Sequence, residues 1–290
     1  MLNKLGGSKQ LGIRLQVMLF LEFEFGRSLS RKLARVLAVL LLSGALSCCV
    51  TTTTGGFMVD ASEERAATDY IQLALAYFDN RDMPGARRHV NNALDIDNRI
   101  SDAYMVLAMI FQREGDLDLA DSNYQRAISL DKDNSSARNN YAAMLFSQER
   151  FRESYEQLER VAGNTSYEGR PLVFEGLGRS ALRLGRQEDA KAVFQRALQL
   201  NENLFIAPLE LALIYFDQED YPRARQYYQN YLTAIQFLQL PHTPRALLAG
   251  IQIEGYFQNK EFVENFSLVL STLYPTSPEY QRFQRLSDAN

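Results

Sequence analysis

The side chains that most often carry catalysis or bind metals are few in this chain. His89 and His242 are the only histidines, and the only two cysteines, Cys48 and Cys49, are adjacent. No Cys/His cluster with the spacing of a zinc site is present. The sequence also lacks the GxGxxG, GxxxxGK[ST], HExxH and GxSxG motifs of nucleotide-binding and hydrolytic enzymes. We therefore expect no catalytic residue, no metal site and no enzyme activity, with packing or solvent-facing roles for both histidines.

The cysteine pair follows a segment with the order of a secretory signal peptide. Basic residues at 27–35 precede an apolar run at 36–42 and small residues at 43–47. The apolar stretch is too short for a membrane-spanning helix, which needs about 20 residues. A small residue directly before a Cys in this setting resembles the bacterial lipobox, whose Cys is acylated and becomes the first mature residue. The pattern thus predicts a covalent lipid and no other cofactor.

Two residues are candidates for acylation. We expect Cys48, which follows Ser47; Cys49 is the alternative, because the residues two and three places before it suit the outer lipobox positions better. The alternative to acylation is that both are ordinary cysteines of a cleaved signal. Neither acylation site has Asp beside it, which in enterobacterial lipoproteins implies sorting to the outer membrane.

These features divide the chain into three parts. Residues 1–47 read as the signal, although Glu22 and Glu24 interrupt the early apolar stretch, so translation is expected to start later than Met1 and to leave residues 1–26 outside the signal. Residues 48–61 read as the lipidated Cys and a flexible tether, and residues 62–290 as the folded body. After residue 47 there are 24 basic and 33 acidic residues, a net charge of -9. An acidic body argues against binding nucleic acid or an anionic lipid surface.

Small and large apolar residues recur in the body every 34 residues. A pair with a small second member appears at Leu73-Ala74, Leu107-Ala108, Tyr141-Ala142, Leu177-Gly178 and Leu211-Ala212, with one step of 36. The second half of each unit repeats in the same way, for example at Ala86, Val90 and Ala93. This spacing is typical of tetratricopeptide repeats, in which two antiparallel helices approach closely through small residues.

The period predicts an all-α fold: a right-handed superhelical solenoid of about six tetratricopeptide hairpins with a C-terminal capping helix. The predicted units are residues 67–100, 101–134, 135–168, 171–204, 205–238 and 243–276. The inner surface of such a solenoid is lined mainly by the first helix of each unit, and it binds protein segments rather than small-molecule substrates.

The predicted groove of the first two units is apolar. We expect its lining to be Ile71, Leu75 and Phe78 of unit one with Met105 and Met109 of unit two, whereas Leu73 and Tyr77 should be packed in the core. Such a groove suits an amphipathic or extended apolar peptide. The alternative is that these side chains pack against the tether or against a neighbouring helix.

A second candidate patch has the same character in unit five. Its members are Ile206, Leu209, Leu213 and Phe216; the alternative to a free surface is that the C-terminal cap fills one of the two patches. Units three and four are more polar, with Asn139, Glu175 and Arg179 expected to face inward. Two apolar patches separated by a polar stretch suit two contacts with a partner.

Several segments resemble the PilF and PilW family of type IV pilus biogenesis lipoproteins. They span the body, and a generic repeat does not require them: Asp69–Leu73, Asn139–Tyr141, Val173–Gly178, Ala224–Tyr228, Arg245–Ile251, Leu273–Pro275 and Glu279-Tyr280. The resemblance implies six repeats, a lipid anchor at the periplasmic face of the outer membrane, and the secretin subunit as partner. It further implies a pilotin, a protein that helps secretin subunits to reach that membrane and form a ring, and hence supports pilus assembly and twitching motility.

Two other functions stand beside this one. The alternative from the same class is a lipoprotein scaffold for another envelope machine, such as β-barrel assembly or cell-wall synthesis. An envelope enzyme whose repeats position a substrate would need catalytic residues that the sequence lacks. We expect a monomer before complex formation.

Overall fold

Helices account for all the regular secondary structure that the computed structural model describes, from residue 56 to residue 288, with side chains described from residue 62 to residue 287. Within this range no strand occurs, and the all-α prediction is confirmed. The helices, in chain order, are α1 (Gly56–Asp79), α2 (Met83–Ile96), α3 (Ser101–Glu114), α4 (Leu117–Leu130), α5 (Ser135–Ser147), α6 (Phe151–Ala162), α7 (Arg170–Arg183), α8 (Gln187–Leu200), α9 (Ile206–Asp217), α10 (Tyr221–Leu238), α11 (Pro244–Tyr256), α12 (Lys260–Leu273) and α13 (Pro278–Asp288).

The signal, Cys48, Cys49 and most of the expected tether lie outside the described residues. One correction falls at the boundary, because α1 begins at Gly56 and includes residues 56–61, which we expected to be flexible tether. The residues from Asp60 to Ala67 contain no Gly or Pro and three Ala with two Glu, a composition that favours continuation of a helix.

Helices α1 to α12 form six successive hairpins, and those from α3 onward begin within one residue of the predicted starts of units two to six. The predicted small and large positions of the second helices are buried: Ala86, Val90, Ala93; Ala120, Tyr124, Ala127; Ser154, Leu158, Val161; Ala190, Phe194, Ala197; Ala224, Tyr228, Tyr231. The close approach is visible at Gly178, where an added Cβ would lie 2.5 Å from a ring carbon of Phe194. The tetratricopeptide solenoid is therefore confirmed.

Turn residues end the helices where the sequence places them. Gly115 and Gly185 have φ angles of 92° and 74°, a left-handed conformation that glycine adopts without steric cost. The side chains of Asp82 and Asn134 accept hydrogen bonds from the first turns of α2 and α5. At these four positions the helix boundary follows from local sequence.

The last helix closes the stack. Tyr280 and Phe283 of α13 pack on a cluster formed by Leu247, Ile251 and Leu270 of unit six. Because α13 takes the place that the first helix of a further unit would occupy, it covers the apolar face that unit six would otherwise expose. The expected capping helix is present.

Candidate functional site

The predicted groove of units one and two is largely closed by packing. Ile71, Phe78 and Met105 are only 4%, 7% and 6% exposed and belong to one core cluster. Leu75 and Met109 are half-buried against the same cluster. As a prediction of exposed groove residues, Ile71, Phe78 and Met105 are therefore wrong, because adjacent first helices pack side by side and bury them.

The opposite error occurs at Leu73, which we expected to be packed. Its side chain is 43% exposed. In later units this place contacts the second helix of the preceding unit, and no hairpin precedes unit one among the described residues. Tyr77 is half-buried, and its ring centroid lies 4.9 Å from that of His89, so this histidine packs against an aromatic ring.

Unit one nevertheless contains an open cavity, of about 470 Å³, beside α1. The isoleucines Ile71, Ile96 and Ile100 supply its apolar surface. Four acidic residues also line it, and no basic residue does: Glu63, Glu64, Asp97 and Asp102. Ile71 is the one residue of the predicted groove that contributes to this unit-one cavity. The negative charge of the unit-one cavity, together with its isoleucine surface, favours a segment that combines apolar and basic side chains.

A second cavity, of about 390 Å³, lies on the first helices of units three, four and five. Phe146, Leu172 and Ile206 supply apolar surface, and Arg179 places its guanidinium carbon 4.5 Å from the centre of the Phe146 ring. Asn139, Glu175 and Arg179, which we expected to face inward, all line it.

Glu175 has a structural task that the sequence did not reveal. Its carboxylate is 3% exposed and accepts a hydrogen bond from the backbone N–H of Ala207 at 2.7 Å, in the first turn of α9. Burial raises the pKa of the Glu175 carboxyl, and the backbone donors of α9 oppose that rise. Glu175 therefore caps the next unit's first helix, which has no capping side chain of its own.

The second candidate patch is divided between two cavities. Leu213 and Phe216 line a groove of about 460 Å³ together with Leu248 of unit six and Arg282 of α13. This surface is called the C-terminal groove below. Ile206 belongs to the preceding cavity, and Leu209 is buried in the core. The cap does not fill the patch but forms one wall of the groove.

Two ion pairs with buried carboxylates and partly exposed arginines join helices of the C-terminal units, and sequence reasoning did not find them. Glu254 is fully buried and bonds Arg225 through both carboxylate oxygens, each at 2.8 Å. Arg245 bonds both carboxylate oxygens of Glu210 in the same manner. A signal was available, because both arginines lie in segments that a generic repeat does not require.

The described residues contain no group of three or more His, Cys, Asp or Glu side chains placed to hold a metal ion. None of the described helices is long and apolar enough to cross a membrane. His242 lies between the rings of Tyr231 and Phe266, and its Nδ1 is 3.3 Å from the Tyr231 hydroxyl. Like His89, it packs against aromatic neighbours.

Comparison with known proteins agrees with this architecture. Tetratricopeptide-repeat family models match residues 101–134 and 175–237. The type IV pilus assembly protein PilF of Pseudomonas aeruginosa is 34% identical over 251 residues, which is 86% of this chain and 98% of PilF.

Two solved structures extend the comparison. A structure of Pseudomonas aeruginosa PilF superimposes with a TM-score of 0.73 at 34% identity, covering 77% of this chain and 99% of that one. The crystal structure of PilW, a type IV pilus biogenesis factor, gives 0.63 at 23% identity, covering 75% and 98%. The second likeness concerns the fold alone. With the sequence identity to PilF extending over nearly the whole of both chains, this protein belongs to the PilF family of type IV pilus assembly proteins.

Proposed function

We propose that this protein is an outer-membrane lipoprotein of type IV pilus biogenesis, a pilotin that binds secretin subunits and promotes their localisation and multimerisation. The observation that carries the proposal is a PilF-like solenoid with an open cavity at each end, each lined by both apolar and charged side chains. A lipid on Cys48, or alternatively on Cys49, would supply the membrane address. Three acyl chains anchor far more firmly than a single chain, whose binding is only marginal.

The unit-one cavity is the first contact that we assign to the secretin subunit. Its isoleucine surface and four carboxylates suit a segment in which apolar residues are flanked by Lys or Arg. The C-terminal groove, with Leu213, Phe216 and Leu248, is the second contact. Holding an apolar segment at both ends would keep the subunit from aggregating until neighbouring subunits bury that surface.

A matched pair of substitutions tests these contacts. Gln72 lines the unit-one cavity and Gln252 lines the C-terminal groove, and neither is buried. Gln72→Arg and Gln252→Arg each add a bulky cation without removing a buried apolar group. We expect both variants to fold as the wild type does and to recover less secretin from solubilised outer membrane. Undiminished secretin recovery and multimer formation with both variants would exclude the two cavities as the contact.

The membrane address has its own test. Replacing both cysteines, Cys48→Ser with Cys49→Ser, should give a folded protein that is neither acylated nor retained in the outer membrane. Fractionation and metabolic labelling with a fatty acid measure this, and persistent labelling would contradict the lipoprotein assignment. Recovery of β-barrel assembly or cell-wall synthesis components in place of secretin would instead favour a scaffold for one of those machines.

A further inference from the structure

A cavity of different chemistry lies at the edge of the solenoid, where α4 ends, α5 begins and α6 ends. Its volume is about 720 Å³. Three basic residues line it, Lys132, Arg138 and Arg160, against one acidic residue, Asp133. The lining therefore carries an excess of positive charge, although the body of the protein is acidic.

Arg138 is the unusual member of this cavity. The residue is 7% exposed, and its Nε donates to the backbone carbonyl of Lys132 at 2.9 Å while Nη1 donates to Oε1 of Gln157 at 2.6 Å. Both partners are uncharged. No carboxylate of the described residues lies within ion-pair distance of this guanidinium, and none of their atoms accepts from Nη2.

The electrostatic surroundings leave that charge only partly compensated. Burial lowers the pKa of Arg138, and the like charge of Arg160 lowers it further, whereas Asp133 and Asp131 act in the opposite direction. A buried cation without a charged partner costs free energy. An anion in the cavity would remove this cost.

The repeat itself shows that packing does not require an arginine here. Counted from the start of each unit, the equivalent residues of units one, two and four are Tyr70, Tyr104 and Phe174, all aromatic. Units five and six have Pro208 and Ala246 at this place, so unit three is the one of the six units with a charged residue there. Departures from the packing rule of a fold tend to mark functional positions.

We propose that this cavity binds a carboxylate of an acidic peptide segment, held by Arg138 and Arg160. A guanidinium presents its N–H groups in a planar fork that matches a carboxylate. The volume lies in the range of cavities that bind organic ligands and is larger than a free small anion needs. The site is separate from the unit-one cavity and the C-terminal groove, and it does not depend on the identity of the partner held there.

The test uses the full-length protein and a fluorescent, capped six-residue peptide with two adjacent glutamates. Fluorescence anisotropy should show saturable binding, and the same peptide with glutamines should not bind. Arg160→Gln should weaken binding by about tenfold, the loss expected for one charge-assisted hydrogen bond. Arg152→Gln, an exposed arginine of the same helix that does not line the cavity, should leave binding unchanged.

A second variant separates binding from stability. Arg138→Tyr restores the ring found in units one and two, so we expect it to abolish peptide binding while the unfolding midpoint stays equal or rises. If Arg138→Tyr does not fold, the Arg160→Gln result decides. The proposal is overturned if the glutamate peptide does not bind, or if Arg160→Gln and wild type bind it equally.

Discussion

Phe78 in unit one and Phe216 in unit five occupy the same place in the repeat, yet only one of them is open to a partner. Phe78 is 7% exposed, and the guanidinium carbon of Arg113 lies 4.8 Å from the centre of its ring. Phe216 is half-buried and lines the C-terminal groove. The residue of unit six that corresponds to Arg113 is Gly255, which has no side chain to cover the ring. For this pair, the side chain that the next unit supplies accounts for the difference in exposure.

Two equivalent ion pairs at the two ends of the solenoid also differ in how far the carboxylate is buried. Arg87 and Arg225 occupy one repeat position, and each stacks on a Phe and pairs with a Glu. Glu114, the partner of Arg87, is 35% exposed, whereas Glu254, the partner of Arg225, is fully buried. One arrangement lies at the surface and the other holds the C-terminal units together.

The largest expected effect is a difference in unfolding free energy between two Phe→Ala variants. Phe78→Ala removes a buried ring and should lower the free energy of unfolding by about 3 kcal/mol, the lower end for buried Phe→Ala changes. Phe216→Ala should cost less, about 1 to 2 kcal/mol, because that ring is only half-buried. Urea denaturation followed by circular dichroism measures both, and equal losses would contradict the difference in packing.

The ion pairs offer a second, smaller contrast. Arg225→Met leaves the Glu254 carboxylate buried without its guanidinium and should cost about 2 kcal/mol, less than for a fully buried pair because Arg225 is itself partly exposed. Arg87→Met is the matched control and should cost less than about 1 kcal/mol, as surface pairs do. If the two arginine variants unfold at the same urea concentration, the burial of Glu254 does not change how much the ion pair contributes to stability.

The cover over Phe78 can be measured on its own. Arg113→Ala removes the guanidinium from the ring, and a double-mutant cycle with Phe78→Ala should give a coupling of about 0.5 to 1 kcal/mol. The corresponding cycle for Gly255→Ala with Phe216→Ala should give a coupling near zero. A zero coupling for the first pair would mean that Arg113 does not protect the ring.

The smallest effect concerns pH at the C-terminal end. Burial lowers the pKa of His242, so the unfolded chain binds a proton more readily than the folded chain does. The stability that the neutral imidazole contributes is therefore present above the unfolded pKa of about 6.5 and is lost as pH falls through that value towards the folded pKa. His242→Gln should flatten the fall in unfolding free energy between pH 7.5 and 5; an unchanged slope would assign that pH dependence to other groups.

The helices and their packing positions could be read from the sequence, while the exposure of the inner face could not. Ala86, Val90 and Ala93 were assigned correctly, because contact between the two helices of a hairpin recurs with the period of the chain. Ile71 and Phe78 were assigned to an open groove and are buried, because the repeat pattern does not show which side chain of the next unit covers them.

The contacts of the polar residues at the candidate site could not be predicted from the sequence either. Glu175 was expected to face inward, and it does line a cavity, but its carboxylate is engaged with the first turn of α9. The roles of Arg225 and Arg245 stayed hidden, because each pairs with a glutamate 29 or 35 residues away in the neighbouring unit. Only the stacking of successive units brings such residues together.

The sequence by itself determined the hairpin, its 34-residue period, the capping helix and the membership of the chain in a family of pilus assembly proteins. These properties depend on contacts within one unit and between neighbouring units, or on sequence identity to relatives, and both can be read from the order of the residues. The tertiary structure alone decided which apolar side chains are covered, which carboxylates are buried and paired, and that Arg138 and Arg160 meet at one cavity. Each of those outcomes depends on side chains from different helices, whose distances are set by how the helices pack rather than by their order in the chain.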